Sequence, residues 1–264
     1  MTTEPQRILV TGGGTLLGDS VAAALLAEGA QVTLLVRPGA EDRLGPLAQR
    51  TRWHSADVWN PASLRGRSRG HAAVIHTVGS LKADPAQGLN HHWLNFVSAR
   101  NVASMCVSDG CPHIVLLSAA RAPWINRQYL RAKREAEDYV QRVGLRATII
   151  RAPLAYLRGQ PRHPFFWLIT ALGSVPPTSW LGFGQAAPLP LDMLARGVAR
   201  ITLEQPPRKL VYGARDLRRR STPQEARRAA LSLADEDRIR QQSVRPFDLL
   251  DEDAPFGWTP PKER

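Results

Sequence analysis

Tyr129 and Lys133 stand four residues apart in the run Tyr-Leu-Arg-Ala-Lys, inside a charged stretch whose helical pattern continues through Glu135, Glu137 and Tyr139. On a helix that spacing places the phenol and the amine on one face, one turn apart. An ammonium beside a phenol favours the phenolate, so the pair can donate and accept a proton near neutral pH. Eleven residues before Tyr129 lies Ser118, whose hydroxyl can hydrogen-bond the oxygen on which that proton lands. Tyrosine and lysine are both scarce in this chain, so the pairing is uncommon by chance and its position along the chain carries the argument.

That position is set by the elements around it. Ser118 sits near the end of His113–Ala119, an apolar run read as a fifth strand, and ligands of open α/β sheets lie outside the carboxyl ends of the strands. The first strand is Ile8 to Val10, running into Thr11-Gly12-Gly13-Gly14-Thr15-Leu16-Leu17-Gly18. A tight strand-to-helix turn needs glycine, and its helix N-terminus receives a phosphate. The two common dinucleotide spacings each fit with one miss, at Leu17 for one and at Thr15 for the other. Val21, Ala24 and Leu25 give the helical period that follows, and Gly29 stops it. Gln31–Arg37 reads as a second strand. Arg37 at its end suits the 2′-phosphate of NADP, although Glu41 or Asp42 could reach the ribose hydroxyl of NAD instead. A short third strand spans Thr51–Asp57, a fourth spans Ala72–Gly79, a long helix spans Leu89–Asp109, and a strand at Leu145–Arg151 leads into Ala152-Pro153. This βαβα alternation predicts a doubly wound, mostly parallel sheet, a Rossmann fold, with a small carboxy-terminal lobe.

Composition narrows the function classes. A chain of 264 residues that is 43% hydrophobic can bury a full core. No apolar leader opens it, and the run Phe165–Leu172 is too short to span a bilayer, so a cytoplasmic location is expected, with peripheral membrane contact as a variant. Cys106 and Cys111 lack companion ligands at metal spacing; reduced thiols and no metal site follow. The net charge of +12 comes almost entirely from 31 arginines scattered along the chain, which argues against a nucleic-acid patch. One segment stands apart, because Tyr139 to Leu191 carries five arginines and no acid. His91 and His92 are neighbours that diverge on a helix and cannot chelate one ion, so surface or cofactor-edge positions are expected for them.

In the order VTGGGTLLG, LLVRPG, ADVWNPASL, AAVIHTVGS, VLLSAA, YLRAK and TIIRAP, the chain resembles the short-chain dehydrogenase/reductase superfamily, in its extended and atypical branches, over roughly residues 7 to 155. Within it the chain looks most like the NmrA-like proteins and the nucleotide-binding accessory subunit of respiratory complex I. The resemblance implies Ser118, Tyr129 and Lys133 as catalytic residues. It implies Thr11, Gly12, Gly14, Thr15, Leu16, Leu17 and Gly18 around the pyrophosphate and Arg37 at the 2′-phosphate. Asp57 and Val58 fall near adenine, Val78 and Gly79 form the wall of the cofactor site, Lys133 holds the ribose, and Pro153 lies beside nicotinamide. Thr15 departs from the family's turn by placing a side chain where a glycine is usual.

The carboxy-terminal part opens with Pro188-Leu189-Pro190-Leu191-Asp192-Met193-Leu194-Ala195, which looks like the start of that branch's substrate lobe. Asp192 is placed to cap a helix to Thr202, and Lys209–Ala214 reads as a late strand. The aromatics Tyr156, Phe165, Phe166, Trp167, Trp180 and Phe183 suit the core of a small lobe, an apolar lid or an interfacial surface. A capping box at Thr222–Glu225 starts a further helix. The expected organisation is a dinucleotide-binding domain over 1–152, a small lobe over 153–234 completing the same fold, and an extended tail over 235–264. The leading reading is an NADPH-dependent reductase acting on a carbonyl or alcohol of a small apolar or anionic molecule, with NAD as the other cofactor. Its rival is a non-catalytic NADPH-binding scaffold or redox sensor with a protein or membrane partner.

Overall fold

The computed structural model describes residues 5–84, 88–158, 188–204 and 209–221. In chain order its elements are β1 (Arg7–Gly13), α1 (Leu16–Ala27), β2 (Gln31–Val36), a 3₁₀ turn (Glu41–Leu44), α2 (Leu47–Arg50), β3 (Arg52–Ser55), α3 (Pro61–Leu64) and β4 (Ala73–His76). A π-helical turn (His92–Val97) then runs into α4 (Ser98–Asp109), followed by β5 (His113–Ala119), α5 (Arg127–Arg142), β6 (Arg146–Ala152) and β7 (Ala155–Tyr156). The described chain closes with β8 (Leu189–Pro190), α6 (Leu191–Leu203), β9 (Val211–Tyr212) and α7 (Ala214–Arg220).

Seven strands form one parallel sheet in the order β3-β2-β1-β4-β5-β6-β9, and β7 pairs with β8 in a separate parallel ribbon. The order reverses between β1 and β4, where an open α/β sheet splays to make its ligand crevice. Because β5 is buried on both faces, its odd and even residues feed two cores. Val115 and Leu117 pack with Leu17, Val21 and Leu25 of α1 and with Leu194 and Val198 of α6. Ile114 and Leu116 pack with Val102 of α4 and Ala136 and Val140 of α5. Helices thus cover both faces, as the alternating pattern predicts.

Several readings change in detail, the fourth strand shortening to Ala73–His76 and the late strand to Val211–Tyr212. The long helix does not run straight from Leu89, because a π-helical turn precedes α4 and rotates the residues before it. Pro190, not Asp192, takes the cap position of α6, and Asp192 instead lies in the first turn, paired with Arg196 and Arg158. The third strand shortens to Arg52–Ser55, an exposed edge. The capping box at Thr222, the aromatics from Phe165 to Phe183 and the tail over 235–264 lie outside the described residues.

Candidate active site

The site begins at the turn between β1 and α1. Gly12 and Gly14 both take positive φ, +85° and +80°. Gly18 needs its bareness for another reason: a Cβ there would stand 2.1 Å from the Gly12 carbonyl oxygen, so the first turn of α1 lies directly on the end of β1. Thr15 fills the place of the absent glycine with a cap. Its hydroxyl donates to the Gly12 carbonyl at 2.6 Å and accepts from the Gly18 N–H at 3.2 Å, which fixes the turn and satisfies a helix-end donor. Thr15→Ala is therefore expected to lose about 1 kcal/mol of stability, with Thr15→Ser close to the unaltered chain, read as a shift in urea midpoint. A glycine-built turn running into a helix N-terminus is the kind of seat a dinucleotide's pyrophosphate takes.

The other expected cofactor residues divide into those that line one cavity, those that are half-buried and those that are deeper. Leu17, Gly79, Lys133 and Pro153 line one small cavity of about 60 Å³, together with Ser118 and Tyr129. Leu16, next to Leu17, is half-buried, as is Val78. Arg37 is half-buried just past β2, and the Cβ of Arg43 lies 3.4 Å from where a Gly14 side chain would begin. Asp57 follows β3 with one carboxylate oxygen accepting from the Trp59 N–H at 2.9 Å, and burial raises its pKa. Thr11 and Val58 lie deeper. The Thr11 hydroxyl is 3.0 Å from His76 Nδ1 and accepts from the Thr77 N–H, while Val58 is in the core and its carbonyl accepts from Asn101. The side chains of both are buried.

The chemistry-bearing residues come from α5. Asn126 caps this helix, its side chain accepting from the Gln128 N–H at 2.7 Å. The buried stripe of α5 carries Tyr129, Lys133 and Glu137 at successive steps of four, an uncommon content for a face turned inward. Lys133 Nζ lies 5.9 Å from the centre of the Tyr129 ring and donates to the Leu117 carbonyl at 3.2 Å. Burial pushes the amine down to about 8, while the Glu137 carboxylate pulls it back up. Gly79 makes the space: a Cβ there would stand 2.6 Å from Lys133 Nζ and 2.5 Å from Asn95 Oδ1.

Ser118 reaches the cavity wall, yet its hydroxyl points to α5. It donates to Glu137 at 2.5 Å and accepts from Arg134 at 3.1 Å. Arg151, its register partner on β6, donates to Glu137 at 2.6 Å, and Arg134 also pairs with that carboxylate. The Ser118 proton is thereby committed to a buried carboxylate, a partner that strand-end spacing alone does not disclose.

Several residues of the site escape motif reading. Asn95, turned inward by the π-helical turn, clamps Ser80 through both its amide groups, at 3.1 and 2.9 Å. His91, expected at the surface or the cofactor's edge, is 5% exposed and packs edge-on against Tyr129, with ring centres 5.9 Å apart. His92 alone is exposed, bonded to Glu135. Leu191 and Leu194 of α6 reach the same cavity from the other core.

Comparison with solved structures confirms this architecture. A dTDP-glucose 4,6-dehydratase from Streptomyces venezuelae, with NAD bound, is 21% identical with a TM-score of 0.57, over 75% of this chain and 72% of that one. The UDP-N-acetylglucosamine 4-epimerase of Bacillus cereus is 18% identical with a TM-score of 0.56, over 79% and 76%. A short-chain dehydrogenase/reductase from Serratia marcescens is 13% identical with a TM-score of 0.58, over 78% and 96%. At these identities the likeness concerns the fold. A search of curated protein sequences gives no match. The family model described as NAD(P)H-binding matches residues 12–162, from the glycine turn through both α5 residues and past Pro153. By that match the chain belongs to the NAD(P)H-binding family.

Proposed function

We propose that this chain is an NAD(P)H-dependent oxidoreductase in which Tyr129 moves a proton to or from the oxygen of a small carbonyl or alcohol substrate. One observation carries the reading: the Tyr129 and Lys133 side chains open into a single cavity shared with the glycine-turn helix and the ends of β5 and β6. A nicotinamide cofactor held above this cavity would supply or accept the hydride. Tyr129 donates its phenolic proton to the substrate oxygen, and the buried Lys133 ammonium stabilises the phenolate left behind. Because the Ser118 proton is directed to Glu137, Tyr129 orients the substrate oxygen in this proposal, and Ser118 is a positioning residue that ties the end of β5 to α5. Leu81, Ile125, Leu154, Leu191 and Leu194 give the cavity an apolar wall, which favours an apolar substrate.

For the cofactor, the proposal is NADP. Arg37 directly follows β2, whose last residue is in register with Gly13, and Arg43 lies beside Gly14, while the Glu41 backbone N–H and the Ser55 hydroxyl hold the Glu41 pKa down. The test pairs turnover with binding: loss of NADPH absorbance across a panel of apolar aldehydes and ketones, and dissociation constants for NADPH and NADH. Arg37→Ser is expected to cut the preference for NADPH about tenfold, the value of one charge-assisted hydrogen bond. The second reading, a non-catalytic NADPH-binding scaffold or sensor with a protein or membrane partner, draws on the committed Ser118 proton. Tight NADPH binding with no turnover by any compound in the panel decides for it.

A further inference from the structure

Asp19 follows Gly18 and lies in the first turn of α1. Its Oδ1 accepts from the Gly14 N–H at 2.9 Å. That N–H belongs to the turn expected to meet a dinucleotide's pyrophosphate, so this chain places a carboxylate of its own on one of the turn's backbone donors. Like charges sharing a donor disfavour each other, and the group that can yield is the one able to take a proton.

We propose that Asp19 is a built-in competitor for the cofactor's phosphate: dinucleotide binding proceeds with uptake of one proton from solvent onto the Asp19 carboxylate, which frees the Gly14 N–H. Geometry supplies the argument and the acidity of the group agrees with it. Burial raises the Asp19 pKa to about 7 against the pull of the Gly14 N–H. The charged groups packed around it leave the burial effect dominant. The loop over the turn bears Arg37, Glu41, Asp42 and Arg43, with Arg43 nearest to Gly14. On α6, Arg196 pairs with Asp192 and Arg200 with Glu28. Lys133, across the cavity, titrates about one unit higher.

The sign follows directly. Below about pH 7 the free protein holds Asp19 neutral and binding needs no proton. Above it Asp19 is ionised, a proton must be taken up, and affinity falls by up to about tenfold per pH unit. The inference rests on dinucleotide binding by the family and not on turnover.

The test is titration calorimetry of the full chain with NADH, whose pyrophosphate lacks the neighbouring 2′-phosphate titration, at about pH 6.5, 7.5 and 8.5 in buffers of different ionisation enthalpy. The unaltered chain is expected to weaken across the series and to approach one proton taken up at the highest pH. Asp19→Asn, with Asp19→Ser as a second variant should the first not fold, is expected to bind about thirtyfold tighter than the unaltered chain at about pH 8.5 and to lose that extra proton. Lys133 titrates in every protein of the set and cancels in the comparison. Equal affinities and equal proton uptake in the variants and the unaltered chain overturn the proposal. A chain that binds neither NADH nor NADPH at about pH 6.5 overturns the cofactor reading beneath it.

Discussion

Tyr129→Phe is expected to lower turnover by about 10²- to 10⁴-fold, the usual value of a positioned proton donor, while leaving the NADPH dissociation constant little changed. The separation of the two measurements follows from where the hydroxyl sits. Phenylalanine keeps the ring that packs on His91 and belongs to the buried stripe of α5, and removes the phenolic hydroxyl. The pH profile adds a second check. Lys133 has its pKa lowered to about 8 by burial, so its charge is present below that value and lost above it. A phenolate stabilised by the ammonium loses that help as pH rises through about 8, and turnover of the unaltered enzyme should fall there. Substrate turnover by Tyr129→Phe at the unaltered rate removes Tyr129 from the chemistry and leaves only cofactor binding.

What was legible in the sequence, and what was not, divides along a physical line. Strand β5 was read at its observed bounds because both of its faces are buried and its apolar run ends at Ala119. The pair Tyr129 and Lys133 was legible because a spacing of four on a helix defines one face whatever that face meets. Partners across sequence were not legible. The hydroxyl of Ser118 meets Glu137, Arg134 and the register neighbour Arg151, and only the packing of α5 on the sheet brings these groups together. Asn95 and His91 were hidden for a related reason: a π-helical turn leaves the apolar pattern readable as ordinary helix while changing which side chains point inward. Thr15 is the instructive intermediate. Its departure from the glycine pattern was visible in sequence, but a departure says nothing about its repair, which is the bond from its hydroxyl to the Gly12 carbonyl.

The same carbonyl carries the largest expected effect at the cofactor end of the site. Gly18→Ala is expected to abolish measurable dinucleotide binding, because the new Cβ would lie 2.1 Å from the Gly12 oxygen and 2.7 Å from its carbonyl carbon, both of them backbone atoms. No side chain can swing aside, so α1 must move off the end of β1, and overpacking of this kind costs about 1–3 kcal/mol in stability even where it is accommodated. That movement re-aims the turn's N–H groups. Two charge-assisted bonds lost at about 1.5–3 kcal/mol each correspond to a weakening of about a hundredfold or more. Gly29→Ala is the matched control. It lies at the other end of α1 with a φ of +83° and nothing within 4 Å of its would-be Cβ, so it carries backbone strain of about 1–2 kcal/mol without touching the turn. Measured side by side by urea unfolding and NADPH titration, Gly29→Ala should lose stability and keep affinity, whereas Gly18→Ala should lose both. Affinity retained by Gly18→Ala would mean that the dinucleotide does not rest on the β1–α1 turn. Strain and contact are two separate reasons a fold keeps a glycine, and this turn uses both: Gly12 and Gly14 take positive φ, whereas Gly18 is held to glycine by contact with the Gly12 carbonyl that the Thr15 hydroxyl caps.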